Sequence, residues 1–584
     1  MKKLILTDIK KKKEFNVNYL SFFSKCSKSN IFKKDDVVLK NVILKKKNEF
    51  LYLKNINNKI FKILKKQLNK EFEIKKNDIY WMILIYPWIC SYTAFSYSKW
   101  KVAKFLKIKD KKFKVEDFVS ENLIVNEDHL NFNRNCCDDY YNFYFLKKIF
   151  RFIGLKNVIF IKRKPINEYD SKKKKNFINI KLISIYVKNF IYKILFSYFI
   201  KNSKIYFDNF LFPRKKFYIL CFKLKIFPLL NHNFILPRKL HNKNIYDVKL
   251  RDKLKNYLTK FKNKDFFFRF VLSDISSSIP MSYLENYTKN RSLIKNFSKI
   301  KKNIITGSSL FYDDIFKTYL AETINNGSKL IFTDHGIQTH KFGRFLGYEN
   351  FISDKLILWN KRLKSNKIFY LPPSLPIIGK EINLNAKKKV NCTIVFFEAH
   401  KYVFNVQSVP SLYNSIFQFS DIIKMVKTFD KNIRNVVKFR NKNHSSFHAT
   451  QRFERIFGKN MIANHSYSFF KTLENSKLII ATYPSTAFFE SIFSNTPTIL
   501  ILFKDHWIFE KKLEKYLNLF LKMNMAFYNI KDAVNFVNKN WNKLSDWWDS
   551  ANVQKSRKAF IFGYSNYKDD YLSIYENFFK KLKN

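Results

Sequence analysis

The sequence predicts an α/β protein of two doubly wound, Rossmann-like units facing a cleft, with extra helical elements at both ends. Three observations predict it. Beyond Lys301, short apolar runs alternate with helical stretches on brief connections, the pattern of parallel sheets covered by helices. A proline-containing segment, Leu371 to Gly379, followed by the run Lys387 to Lys389, divides that alternation into two series. At 584 residues, 46% apolar and 18% aromatic, the chain is too long for one core and apolar enough to fill several.

Met1 to Asp8 begins as a strand, and its apolar run is too short for a signal peptide. Helical pattern runs through Asn55 to Glu71 and resumes after Pro87. The most apolar long segment, Tyr80 to Tyr97, carries hydroxyls and a proline and falls short of the ~20 apolar residues of a spanning helix, so it is assigned to a core ahead of a membrane. Residues 151–299 are rich in Lys and Phe without clear periodicity and receive no assignment. Order returns with a strand at Ile304 to Thr306, a turn at Gly307-Ser308-Ser309, and an amphipathic helix from Tyr312 to Asn326 that Gly327 stops. A strand from Lys329 to Thr333 leads into the loop Asp334-His335-Gly336, and Ile352 to Trp359 follows.

The second series comprises a strand at Cys392 to Phe397, a helix at Leu412 to Phe429, and a strand at Val436 to Phe439. It continues with a helix after Ser468, a buried strand at Lys477 to Ala481, the turn Pro484-Ser485-Thr486, another helix, and a strand after Pro497. Trp541 to Asn584 is helical and aromatic, a tail suited to packing back on the first unit. The division is therefore 1–375 with an insertion at 151–299, a linker at 376–388, a second unit at 389–540, and the tail at 541–584. Both post-strand loops of the first series fall on one edge of their sheet.

A formal charge of +64, from 110 basic against 46 acidic residues, would ordinarily point to nucleic acid or an anionic membrane. The excess is nearly all lysine, spread along a chain rich in Asn, Ile, Phe and Tyr with only 9 Gly, which is the skew of an AT-rich genome. Lys10 to Lys13, Lys172 to Lys175 and Lys387 to Lys389 read as solvated loops. Paired Cys/His spacings and RNA-recognition aromatics are absent, so nucleic acid is not expected as a partner. Peripheral attraction to an anionic membrane face follows from the charge whatever its origin. The 6 cysteines have neither metal nor disulfide spacing, which points to a reduced cytoplasmic protein.

Among chemical candidates, Ser485 and Thr486 stand where a strand hands over to a helix, suited to an anionic group such as phosphate. Capping alone explains either hydroxyl. It does not explain Glu490, because the reciprocal capping box wants an acid three residues after the cap, where Phe488 and Phe489 stand. Glu490 lies a turn deeper on the same face, placed to accept from a pair of ribose hydroxyls. His335 follows a strand end and precedes Gly336, and imidazole titrates near neutrality, so it suits proton abstraction from a hydroxyl. Asp334 is placed to orient that ring or hold an acceptor, and Glu349 to add a carboxylate to the cleft. Gly307, Ser308, Ser309 and Gly336 are expected to contact substrate. Lys438 and Arg440 alternate along a strand end and face one side, suited to phosphate; Arg434 and His444 are weaker candidates. Metalloprotease, P-loop, hydrolase-elbow and Asp-x-Asp motifs are absent, which favours transfer without a metal.

Several segments in fixed order carry a resemblance: Tyr80-Trp-Met-Ile-Leu-Ile-Tyr-Pro-Trp88, Tyr97-Ser-Lys-Trp100, Thr306-Gly-Ser-Ser309, Phe316-Lys-Thr-Tyr-Leu-Ala-Glu322, His335-Gly336, Glu349, Ile352-Ser-Asp354, Ser485-Thr-Ala-Phe-Phe-Glu490, Asn495-Thr-Pro-Thr498 and Trp547-Trp548. In this the chain resembles transferases encoded in bacterial surface-polysaccharide loci, which are similar to two-domain GT-B glycosyltransferases. It departs from that pattern at Asp334, which stands where the family has Gln before the His-Gly pair, and around Leu20 to Cys26. The resemblance implies sugar transfer from a nucleotide-sugar donor, an acidic sugar on CMP being one candidate, to a lipid-linked or polysaccharide acceptor of O-antigen or capsule. No cofactor is expected beyond that donor, and the expected location is the cytoplasm, with the charge allowing peripheral contact at the inner face of the cytoplasmic membrane. Three alternatives stand beside it: teichoic-acid-type polyol-phosphate transfer from a CDP-linked donor, a non-catalytic basic protein binding nucleic acid or membrane surfaces, and a degenerate enzyme kept as a scaffold.

Overall fold

The computed structural model describes residues 2–5, 18–19, 47–108, 112–119, 124–163, 203–228, 246–295, 302–337, 347–374, 389–397, 402, 412–441, 449–503 and 507–583. The linker 376–388, the runs Lys10 to Lys13 and Lys172 to Lys175, His444 and the segment Leu20 to Cys26 lie outside the described residues. Three sheets, parallel throughout, organise the rest. Strands β1 (Lys2–Ile5), β2 (Asn18–Tyr19), β3 (Phe113–Asp117) and β4 (Val158–Lys162) pair in the order β2-β1-β3-β4. This small sheet is an addition to the two expected from sequence.

The middle sheet joins β5 (Ile205–Asp208), β6 (Asn303–Thr306), β7 (Lys329–Thr333), β8 (Lys355–Leu358) and β9 (Ile368–Tyr370) in sequence order. The side-chain period of two sends Ile304, Leu330, Phe332, Leu356 and Leu358 into one core, and Ile305, Ile331 and Ile357 into another on the opposite face. Crossover helices Asp314–Asn325 and Tyr348–Ile352 cover the first face. A sheet wound in one direction receives most of its right-handed crossovers on one side, so the other face needs further cover. Two helices supply it, Arg214–Lys223 from the β5–β6 connection and Tyr571–Lys583 from the tail: Phe217 and Phe579 both meet Phe207 edge-on, with ring centroids 5.4 and 5.0 Å away, and Tyr575 donates to the Pro372 carbonyl at 2.9 Å.

The first face is backed by the long helix Asp78–Lys107, which continues through Pro87. A proline there has no N–H for the Ile83 carbonyl four residues back. The Tyr348 hydroxyl donates to that carbonyl at 3.4 Å, so the proline that breaks one bond provides the attachment for the helix carrying Glu349. Tyr80 to Tyr97 is almost wholly buried, as its core assignment required. Among the described residues no helix is long and apolar enough to cross a membrane.

The third sheet comprises β10 (Asn391–Phe396), β11 (Val437–Asn441), β12 (Ser476–Ala481), β13 (Thr498–Ile501) and β14 (Ala526–Phe527), ordered β11-β10-β12-β13-β14. Here the doubly wound pattern is realised. The chain steps from β10 to β11 on one side and returns to β12 on the other, which opens a crevice outside the carboxyl ends of β10 and β12. The same apolar cluster that holds Ile305, Ile331 and Trp359 also contains Phe488, Phe489, Leu513 and Phe560, so the middle and third sheets share one core.

Candidate functional site

Helix Thr486–Phe493 begins at that crevice, five residues beyond the end of β12. Ser485 occupies its N-cap position with extended backbone but makes no capping bond; its hydroxyl engages Tyr483 instead. The tail closes the far end. Arg557 donates to the Ile492 and Phe493 carbonyls at 2.7 and 3.1 Å, and the Trp548 indole donates to the Asn495 carbonyl at 3.1 Å and to its side-chain oxygen at 2.9 Å. A guanidinium on the last carbonyls suits the negative end of the helix dipole and leaves the positive end turned to the crevice.

Glu490 is half-buried one turn into this helix. Burial pushes its carboxyl up to about 7, against the lowering pull of Arg440. Arg440 reaches this neighbourhood from the end of β11 while donating to the Tyr467 carbonyl at 2.9 Å. Lys438, two residues earlier on the same side of β11, donates to the Asn460 carbonyl at 2.5 Å. The two cations expected to act together are thus divided: Arg440 neighbours Glu490, and Lys438 braces a loop. Arg434 donates to the Phe429 carbonyl at 2.9 Å, which ties off the end of the preceding helix, Leu412–Thr428.

Opposite stand the carboxyl ends of the middle sheet. Gly307 is wedged there: a Cβ on it would lie 3.1 Å from the Thr333 carbonyl oxygen, 3.4 Å from that of Asn209 and 3.6 Å from the His335 Cβ. Only glycine lets these three strand ends converge without displacement. Ser309 is buried and accepts from the Asn209 side-chain amide, while Ser308 is half-buried. Beneath the loop, the first turn of Asp314–Asn325 is pinned by a buried pair: Lys317 Nζ lies 2.5 Å from Asp314 and donates to the Leu84 carbonyl at 3.2 Å. Asp314 also accepts from the Tyr283 hydroxyl at 2.6 Å.

His335 is half-buried beside Phe311, with ring centroids 5.9 Å apart. Asp334 faces elsewhere than expected. Its carboxylate is fully buried, bound by Arg362 through Nη1 to Oδ2 and Nη2 to Oδ1, both at 2.6 Å, and Oδ2 also accepts the Trp359 N–H at 3.0 Å. Both oxygens are engaged, so Asp334 anchors the loop backbone and does not orient the imidazole. Burial pulls the Arg362 guanidinium down, but the Asp334 carboxylate more than offsets this and holds it above its ordinary value; half-buried Glu349 adds to the same negative field.

The two halves meet at Gly336 and Thr486. A Cβ on Gly336 would stand 3.2 Å from Thr486 Oγ1, so the loop carrying His335 and the start of the helix carrying Glu490 abut directly. The tail spans this junction. Phe560 stacks on Phe489 at 5.3 Å with planes 5° apart, and the Tyr564 hydroxyl accepts from the Asn360 amide at 3.1 Å. Asn360 in turn accepts from Arg362 at 2.5 Å. Sequence reasoning missed Arg362, Asn360, Tyr483 and Tyr564. Arg362 and Asn360 follow Trp359 at the end of β8, so the strand-end criterion that selected His335 would have found both.

No curated protein and no solved structure matches the chain significantly. The model of a family described as "LIC12162 family transferase" matches residues 2–579, nearly the whole length. Parallel sheets converging on a shared loop and helix start, together with that match, identify the chain as a member of the LIC12162 family of transferases.

Proposed function

We propose that this transferase is a glycosyltransferase of GT-B type. It moves a sugar from a nucleotide-sugar donor to a lipid-linked or polysaccharide acceptor of a surface glycan. The observation that carries this reading is the contact of Gly336 with Thr486, which sets a candidate base and a candidate nucleotide cradle on either side of one junction. In the proposed mechanism the donor phosphates sit at the start of Thr486–Phe493, held by Ser485, Thr486 and the helix dipole. Arg440 offsets the charge of the departing nucleotide, and Glu490 in its ionised form accepts from the ribose hydroxyls. His335 takes the proton of the acceptor hydroxyl as that oxygen attacks the sugar carbon and the bond to the nucleotide breaks. Gly307, Ser308 and Ser309 border the acceptor side. Asp334 serves through Arg362 by holding the loop in place, and Lys438 serves by bracing its neighbouring loop.

A thermal-shift series with CMP-, UDP-, GDP-, CDP- and dTDP-linked compounds, followed by product analysis, tests the class. One nucleotide should stabilise the protein selectively, and turnover should yield a phosphorus-free glycosidic product. Phosphorus retained in the product would instead establish polyol-phosphate transfer. Replacing His335 with Ala should lower turnover by roughly 10²–10⁴-fold with donor affinity nearly unchanged, the usual contribution of a positioned base. Full activity in that variant would remove His335 from the mechanism.

A further inference from the structure

The helix Arg214–Lys223, which follows β5, is apolar on two sides. Phe217, Leu220 and Cys221 point into the core shared by the middle and third sheets. On the outer side Tyr218, Ile219 and Phe222 are exposed by 49%, 43% and 85%. Spacings of three and four residues place these three on one face. A ring left 85% exposed beside two further large apolar groups is a patch and not a scattered surface residue.

The surroundings of the patch are basic. Arg214, Lys215, Lys216, Lys223 and Lys225 flank it, and residues 211–228 contain no acid. The end of Tyr571–Lys583 lies alongside: Lys583 donates to the Leu224 carbonyl at 2.9 Å, and Lys580 stands on the same side. Glu576 is the acid on that helix, and it is paired with Lys223 at 2.8 Å and Lys580 at 2.7 Å.

We infer that this face is a docking surface for an anionic lipid bilayer, with Phe222, Tyr218 and Ile219 entering the headgroup boundary and the surrounding lysines meeting acidic headgroups. An apolar centre ringed by lysine is the composition of interfacial helices. Protein interfaces are depleted in lysine, which disfavours a protein partner. An exposed ring beside lysines would also permit base stacking, an outcome the test below separates.

The full-length chain tests this by co-sedimentation with vesicles of phosphatidylcholine alone and of phosphatidylcholine mixed with phosphatidylglycerol. Because a charge of +64 attracts any acidic surface, the decisive measurement is the binding that survives high salt. The variant Tyr218→Ser/Ile219→Ser/Phe222→Ser should lose that fraction by at least about tenfold while its thermal midpoint stays in place. Ile108→Ser, at a position 78% exposed elsewhere, should lose none. A second readout is the variant Phe222→Trp, whose indole emission should shift to the blue with the mixed vesicles and hold steady with phosphatidylcholine alone. Wild-type partition in the triple variant would overturn the assignment. So would an indole emission in Phe222→Trp already blue-shifted without lipid, a dimer that the triple variant dissociates, or single-stranded oligonucleotide binding lost in that variant while vesicle binding persists.

Discussion

Arg362 holds Asp334 through two parallel bonds of 2.6 Å, and the residue after Asp334 is His335. The candidate base therefore owes its position to a buried ion pair formed across the ends of β7 and β8. Substituting Arg362 by Gln leaves the Asp334 carboxylate buried and unpaired. Stability should fall by about 3–5 kcal/mol, the cost of removing one partner from a buried pair. Arg362→Gln/Asp334→Asn, which removes both charges, should recover part of that loss, and chemical denaturation of the two proteins measures the difference. Turnover should decline in the double variant with donor affinity retained, as fits residues that act through loop position.

Gly336 and Thr486 should couple energetically. A methyl at 336 meets Thr486 Oγ1 at 3.2 Å, tighter than ordinary contact, so Gly336→Ala should weaken donor binding and Thr486→Ala should relieve that particular clash. A double-mutant cycle read by titration calorimetry is expected to give an interaction energy of roughly 0.5–3 kcal/mol. Strict additivity would mean that the two loops do not meet in solution.

Glu490 confers opposite pH trends on folding and on donor affinity. Its carboxyl titrates near 7 when folded, against an ordinary value of 4.5. Between those values the folded state keeps a proton that the unfolded chain has released, so this group's contribution to stability declines as pH rises through that window and is level above it. Binding through the ionised form improves over the same direction, by about tenfold from about pH 6 to about pH 8. In Glu490→Gln both dependences should flatten. An unchanged slope of affinity with pH in that variant would assign the titration to another group.

Lys317 is wholly buried with Asp314 beneath the Gly307 loop. Lys317→Met should therefore cost about 3–5 kcal/mol by stranding the carboxylate. Lys317→Met/Asp314→Asn should be closer to wild type, and the thermal midpoints rank the two.

Much of the site is legible in the sequence because its residues are local to strand ends. The strand Lys329–Thr333 matches its expected bounds, and β6, β10, β12 and the helix Thr486–Phe493 fall within a few residues of theirs, since apolar runs bounded by turn residues set both ends. Gly307, His335 and Ser485 stand out from that punctuation alone. What sequence does not supply is pairing at a distance. Adjacency predicts that Asp334 serves His335, whereas the guanidinium that claims it is 28 positions away. Lys438 and Arg440 share a face of β11 yet part company at their tips, because the carbonyls that receive them, Asn460 and Tyr467, lie at opposite ends of one connection. Residues 151–299 resist assignment for a related reason. Their helix Phe266–Ser278 sets Phe267 and Phe270 against Trp100 of the helix Asp78–Lys107, and no local period announces so remote a partner.

The cover that Tyr571–Lys583 provides for β5 to β8 has a consequence for biosynthesis. Strands of the first half leave the ribosome long before the segment that shields them. At roughly 5–20 residues per second, β5 waits tens of seconds for this part of its cover. Throughout that interval Phe207 lacks Phe579, and a broad oily surface faces the crowded cell. The Phe207 face of the sheet therefore stays incomplete on the nascent chain until residues 571–583 have emerged.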